Sequence, residues 1–152
     1  MTQYATDILA ELVERKRQCL AQLCELGRRQ CEMIASGEMN PLLKVLAGKQ
    51  RLLADLQEIE EGLAPYHDED PEARAWRSPA DRQRCAGHLA DCEKLLAVIL
   101  EQERGSENEL RRRRDEAQVR LQGAHDAAAA RGAYLAATPA PALHELDLAS
   151  ES

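Results

Sequence analysis

The stretch SGEMNPLLKVLAGKQRLLADLQEIEE, residues 36–61, decides the fold of this 152-residue chain. It opens on a turn, Ser36-Gly37 followed by Asn40-Pro41. Glycine enters the left-handed backbone that ends a helix, and proline suits a first helical position because its missing N–H has no partner there. From that start the stripe steps through Leu42, Val45, Lys49, Leu52, Leu56, Ile59 and Leu63 in alternating threes and fours. Leu43, Leu46 and Leu53 flank it. That period is helical.

The preceding segment, residues 7–36, carries the same period through Leu9, Leu12, Lys16, Cys19, Leu23, Leu26, Gln30 and Met33, widened by Val13, Leu20 and Ile34. Two such helices joined by about four residues make an antiparallel hairpin. With the turn centred near Glu38, facing residue numbers sum to about 76. Lys16 is then expected beside Glu60 or Glu61, Leu23 against Leu52, and Leu26 against Val45 and Leu46. Polar residues in such a seam set register at some cost in stability. Lys49 is expected to pack its stem and carry its ammonium out to water.

Residues 58–72 hold seven acids and no Lys or Arg. Pro65 is expected to end helix two, and Asp70-Pro71 to start a short turn of helix holding Trp76. Ser78-Pro79 reads as the N-cap of a third helix, striped by Cys85, Leu89, Cys92, Leu96 and Ile99 with Leu95 and Leu100 beside it. No proline follows until Pro139, so the helix is expected to reach about residue 136, with Gly105 and Gly123 weakening it. The segment 101–109, EQERGSENE, lacks a large apolar residue and is expected to bend. The fold class is all-α: an antiparallel three-helix bundle, a coiled-coil-like hairpin plus one long third helix. It forms one domain over residues 1–137, followed by a Pro-rich acidic tail, 138–152, read as mobile.

Composition agrees and excludes much else. Hydrophobic residues make up 44% but aromatics only 3%, with no Phe, which suits narrow helix-against-helix packing. A net charge of −7 argues against nucleic acid, whose phosphates need clustered Lys and Arg. The run of four arginines at 111–114 rings its helix instead of forming one face, and acids such as Glu107 and Glu109 stand four residues before Arg111 and Arg113. No apolar run is long enough for a membrane span, and no secretory signal is visible at the N-terminus. Five cysteines without a Cys-x-x-Cys pair suit reduced thiols in the cytoplasm.

Cys85, His88 and Cys92 share one helix face and contain zinc-ligand types, but cysteines on an apolar stripe serve as small hydrophobes, so no metal is expected. The acidic run His67-Asp68-Glu69-Asp70 lacks the glycine and spacing of a calcium loop. Phosphate loops, nucleophile elbows and activated-cysteine patterns are all missing, so no enzyme and no cofactor are expected. Trp76, the sole Trp, is expected to plug the open end of the hairpin, with an exposed anchor for a partner as the alternative.

A helix ending in a Gly-acid turn, then a leucine-rich helix with a central lysine, resembles flagellar export chaperones of the FlgN type. Gly37, Glu38, Leu42, Leu43, Leu46, Lys49, Leu52, Leu53 and Leu56 carry the resemblance, and the Ala-rich AAAARGAYLAA at 127–137 is similar to how these proteins finish. The resemblance implies a cytoplasmic chaperone that binds the C-terminal segments of hook-associated (hook–filament junction) proteins, keeps them unassembled and hands them to the export apparatus. It implies a substrate surface around residues 127–134. The acidic connection bearing Trp76 and the Pro-rich tail depart from the simpler family members.

Helix geometry points to the same region. At 1.5 Å per residue, helix three should pass the Gly37 turn near residue 109, leaving residues 110–136 as an overhang of about 40 Å. Its thin stripe of Leu110, Ala117, Leu121, Ala124, Ala128 and Leu135, with Tyr134, is the candidate partner-binding surface. Small residues there allow close approach of a partner helix. Folding back on the hairpin, or pairing with a second copy into a homodimer through helix three, are the alternatives for this segment. For the whole chain the competing reading is a structural coiled-coil or adaptor protein.

Overall fold

Gly37 organises the hairpin. It adopts φ 79° and ψ 14°, the left-handed region. From there its N–H donates to the Ile34 carbonyl at 3.3 Å, while the Glu38 N–H donates to Met33 at 2.9 Å. Those two bonds satisfy carbonyls that the last turn of a helix leaves open. The computed structural model describes residues 3–137; the expected tail, 138–152, lies outside the described residues. Among the described residues are three α-helices, α1 (Ala5–Ser36), α2 (Met39–Leu63) and α3 (Pro79–Ala137). Two 3₁₀ turns, Ala64–Tyr66 and Pro71–Ala73, lie between α2 and α3. The chain is all-α, as its periodicity predicts.

Boundaries shift by small amounts. Glu38, not Asn40, stands at the N-cap of α2, so Pro41 falls inside the first turn, where N–H groups have no helical acceptor anyway. Ser78 does cap α3, its Oγ accepting from the Asp81 N–H at 3.1 Å.

The chain divides into two units, one up to Glu109 and one from Leu110. In the first, α1 and α2 run antiparallel in the expected register. Lys16 Nζ meets Glu60 Oε1 at 2.6 Å, a pair whose numbers sum to 76. The Cys19 thiol donates to the Leu52 carbonyl at 3.2 Å, and Leu26 packs on Gly48. The α3 residues of this unit run parallel to α1, since successive contacts climb both chains together. Asp7 pairs with Arg77, Cys92 Sγ reaches the Val13 carbonyl, Gln102 bonds Cys24, and Ser106 meets Cys31.

The core follows from the stripes: Leu9, Val13, Cys19, Leu20, Leu23, Ile59, Leu63, Cys85 and Cys92 are buried together. The largest fully buried side chains among the described residues, Val13, Leu20, Leu23 and Ile34, all come from α1, which is therefore the helix both others cover. Each contributes on the order of 1.5–3 kcal/mol through burial.

Around the open end, the connection is tied down by polar bonds. Thr6 Oγ1 donates to the Ala75 carbonyl at 2.7 Å, Tyr66 Oη to the Ala5 carbonyl at 3.2 Å, and Arg74 to the Tyr66 carbonyl at 2.8 Å. Trp76 lies beyond the Pro71–Ala73 turn, not in it, and packs half-buried against the core. It sits where a plug would.

Candidate partner-binding surfaces

Every expected site residue lies in the helix of the second unit. Of residues 110–137 none is buried: Leu121 is 70% exposed and Tyr134 68%, with Leu110, Ala124, Ala128 and Leu135 also open and Ala117 half-buried. Its polar surface is held by bonds along the helix, Arg112 to Glu116 at 2.5 Å and Gln122 to Asp126 at 2.9 Å. These are the (i, i+4) pairs that stabilise a helix by a few tenths of a kcal/mol each.

In the first unit, the segment 101–109 behaves differently from the bend expected of it. The α3 helix runs through it unbroken. Three of its polar side chains, Gln102, Glu103 and Ser106, find partners across the bundle. Gln102 Nε2 donates to the Cys24 carbonyl at 2.9 Å, and Ser106 Oγ stands 3.3 Å from Cys31 Sγ while itself buried. Gln102 passes so close to α1 that a Cβ on Gly27 would overlap its amide oxygen. That oxygen is buried without a partner among the described residues.

Lys49 is the centre of this polar layer, and it does not reach out to water. The residue is 8% exposed. Its ammonium donates to Gln30 Oε1 at 2.7 Å and pairs with the Glu103 carboxylate. One cation thus joins all three helices. Burial pulls its pKa below the usual lysine value. Cys31 pulls the other way, but less strongly, so burial prevails.

Beside this layer, α2 and α3 part to leave an apolar groove enclosing about 380 Å³. Leu20 and Leu23 line it, together with Leu46, Leu53 and Leu56 of α2 and Leu96, Ile99 and Leu100 of α3. Leu46, Leu53, Leu96 and Leu100 are exposed, the last at 57%. Periodicity places Leu46, Leu53 and Leu100 beside the main stripes, but it places Leu96, like Leu89, in the α3 stripe itself, and both are exposed, contrary to that expectation. The available signal is width: a stripe broader than one neighbouring helix can cover.

The cysteines belong to packing. Cys19, Cys85 and Cys92 are buried, and burial pushes each thiol's pKa up, away from the reactive thiolate. His88 stays half-buried on the same face, lining a recess with Trp76, Asp7 and Arg84. Among the described residues no His, Cys, Asp or Glu cluster is arranged to hold a metal ion. None of their helices is long and apolar enough to cross a membrane. No protein-family model, curated protein or solved structure matches the chain.

Proposed function

We propose that this chain is a cytoplasmic export chaperone of the FlgN kind, without catalytic activity. In this reading it binds the C-terminal helical segments of hook-associated proteins, keeps them unassembled and presents them to the flagellar export apparatus. The observation that carries it is the helix 110–137, amphipathic in pattern yet with no side chain buried. An amphipathic helix gains most of its stability from packing its apolar face, so one left open suits a partner helix. Alanines at 117, 124 and 128 would let that partner come close, while Leu110, Leu121, Tyr134 and Leu135 supply the larger contacts.

Titration calorimetry with the C-terminal segment of a hook-associated protein tests the proposal. Binding should occur, and Leu121→Glu combined with Leu135→Glu should weaken it by about tenfold or more. Undiminished binding by the double variant moves the surface elsewhere, with Trp76 next. The second reading, a self-associating structural or adaptor protein, draws support from the open α2–α3 groove. A chain that binds no junction-protein segment but forms stable oligomers would favour it.

A further inference from the structure

We propose that the apolar groove between α2 and α3 in the first unit is the seat for helix 110–137 of a second copy of this chain. The inference stands on its own observations and does not need the chaperone reading.

Shape comes first. From Leu46 to Leu56 the groove runs along about three turns of α2, on the order of 15 Å. Leu20 and Leu23 form its floor, and the exposed Leu46, Leu53, Leu96 and Leu100 stand along its rims. Two parted helices with leucines on both rims and a third helix beneath are the missing-member geometry of a four-helix bundle. The occupant must therefore be a helix with a narrow apolar stripe. Helix 110–137 has one, and its alanines at 117, 124 and 128 permit the close approach that a shallow seat demands.

Charge selects this helix. Residues 1–109 contain 14 Lys and Arg against 21 Asp and Glu, a net of −7. Residues 110–137 contain six Arg against three acids, a net of +3. Within the groove Glu103 is already paired with Lys49, so the attraction acts between the net charges of the two stretches. The net-basic helix thus meets a leucine-lined seat on a net-acidic unit, and opposite net charges steer such an encounter. Two copies exchanging their helices would fill both grooves at once, which closes the assembly as a symmetric dimer. Helix 110–137 would then be covered in the dimer and available to other partners in the monomer.

The test is the molar mass of the full chain by light scattering after size exclusion, over a range of concentrations and salt. At about 0.05 M salt the mass should rise toward twice that of one chain, and fall back near about 0.5 M, where screening shortens to a few ångström. Leu100→Glu in the groove and Leu121→Glu in the helix should each weaken the dimer by about tenfold or more. Both positions are exposed, so circular dichroism should show folded helix in each variant. A photoreactive residue placed at position 100, in a mixture of isotopically light and heavy chains, should cross-link to residues 110–137 of the other isotope. A monomer under all conditions overturns the proposal. So does a dimer indifferent to Leu100→Glu, which would mean pairing through helix 110–137 alone, and so do cross-links confined to one chain, which would mean the helix folds back.

Discussion

Along α3, residues 79–109 bury Cys85, Cys92 and Ser106, whereas residues 110–137 bury nothing. The first stretch contains Gly87 and Gly105 and a polar run at 101–109, a poor helix by composition. It is helical because α1 and α2 receive its side chains. The second stretch is helical without such support: it has nine alanines and (i, i+4) bonds from Arg112 to Glu116 and from Gln122 to Asp126. Tertiary packing holds one part, and intrinsic propensity with local ion pairs holds the other. Propensity alone gives marginal helices in water, so the second stretch is where a partner has most to add.

Substitutions should separate the two regimes. Leu20→Ala, at a fully buried position of α1, should lower unfolding free energy by about 2–5 kcal/mol in chemical denaturation. Leu121→Ala should change it by less than about 0.5 kcal/mol. If the two costs are similar, helix 110–137 is packed and the contrast fails. Gly27→Ala comes next, because its Cβ needs the space of the Gln102 amide, which the Cys24 carbonyl holds in place. A loss of about 1–3 kcal/mol is expected from this overpacking, and thermal melts against wild type would measure it.

Lys49 sharpens the comparison from the polar side. Replacing a buried cation by an apolar residue of similar length removes a desolvation cost, so Lys49→Met should be neutral or stabilising by about 1–4 kcal/mol. Glu103→Ala leaves the ammonium with Gln30 alone and should destabilise. The two variants moving in the same direction would contradict the arrangement.

The smallest effect lies at the exposed Asp7. Hydrogen bonds from Arg77 and then from the Tyr4 N–H hold its pKa below the ordinary 3.8. A folded-state pKa below the unfolded one contributes stability above the unfolded value, lost as pH falls through the folded one. Asp7→Asn should therefore slightly flatten the loss of stability as pH falls below about 4, as read from denaturation midpoints. An NMR titration showing Asp7 at or above 3.8 would remove the basis for it.

Much of the first unit is legible in the sequence. The three-and-four spacing and Gly37 together set the hairpin register closely enough to pair Lys16 with Glu60. The fate of Lys49 is not legible, because it depends on where α3 brings Glu103, and that offset comes from the way the connection around Trp76 folds over α1. Residues 101–109 mislead for a related reason: Gln102 and Ser106 look unpackable until Gly27 and Cys31 are seen to receive them. The groove leucines were visible as residues but not as a groove, since coverage depends on how far α2 and α3 stand apart. The exposure of Leu121, Tyr134 and Leu135 does follow from the thin, alanine-rich stripe around them.

Hydrogen–deuterium exchange on the full chain, read by mass spectrometry at a concentration and salt where it is monomeric, tests the contrast most directly. Amides of residues 9–34 and 85–102 should exchange slowly, through opening of the core, while those of 110–137 should exchange orders of magnitude faster through local fraying. Addition of a bound partner should then slow 110–137 selectively. Protection of 110–137 equal to that of the core in the monomer would contradict the two-regime description of α3.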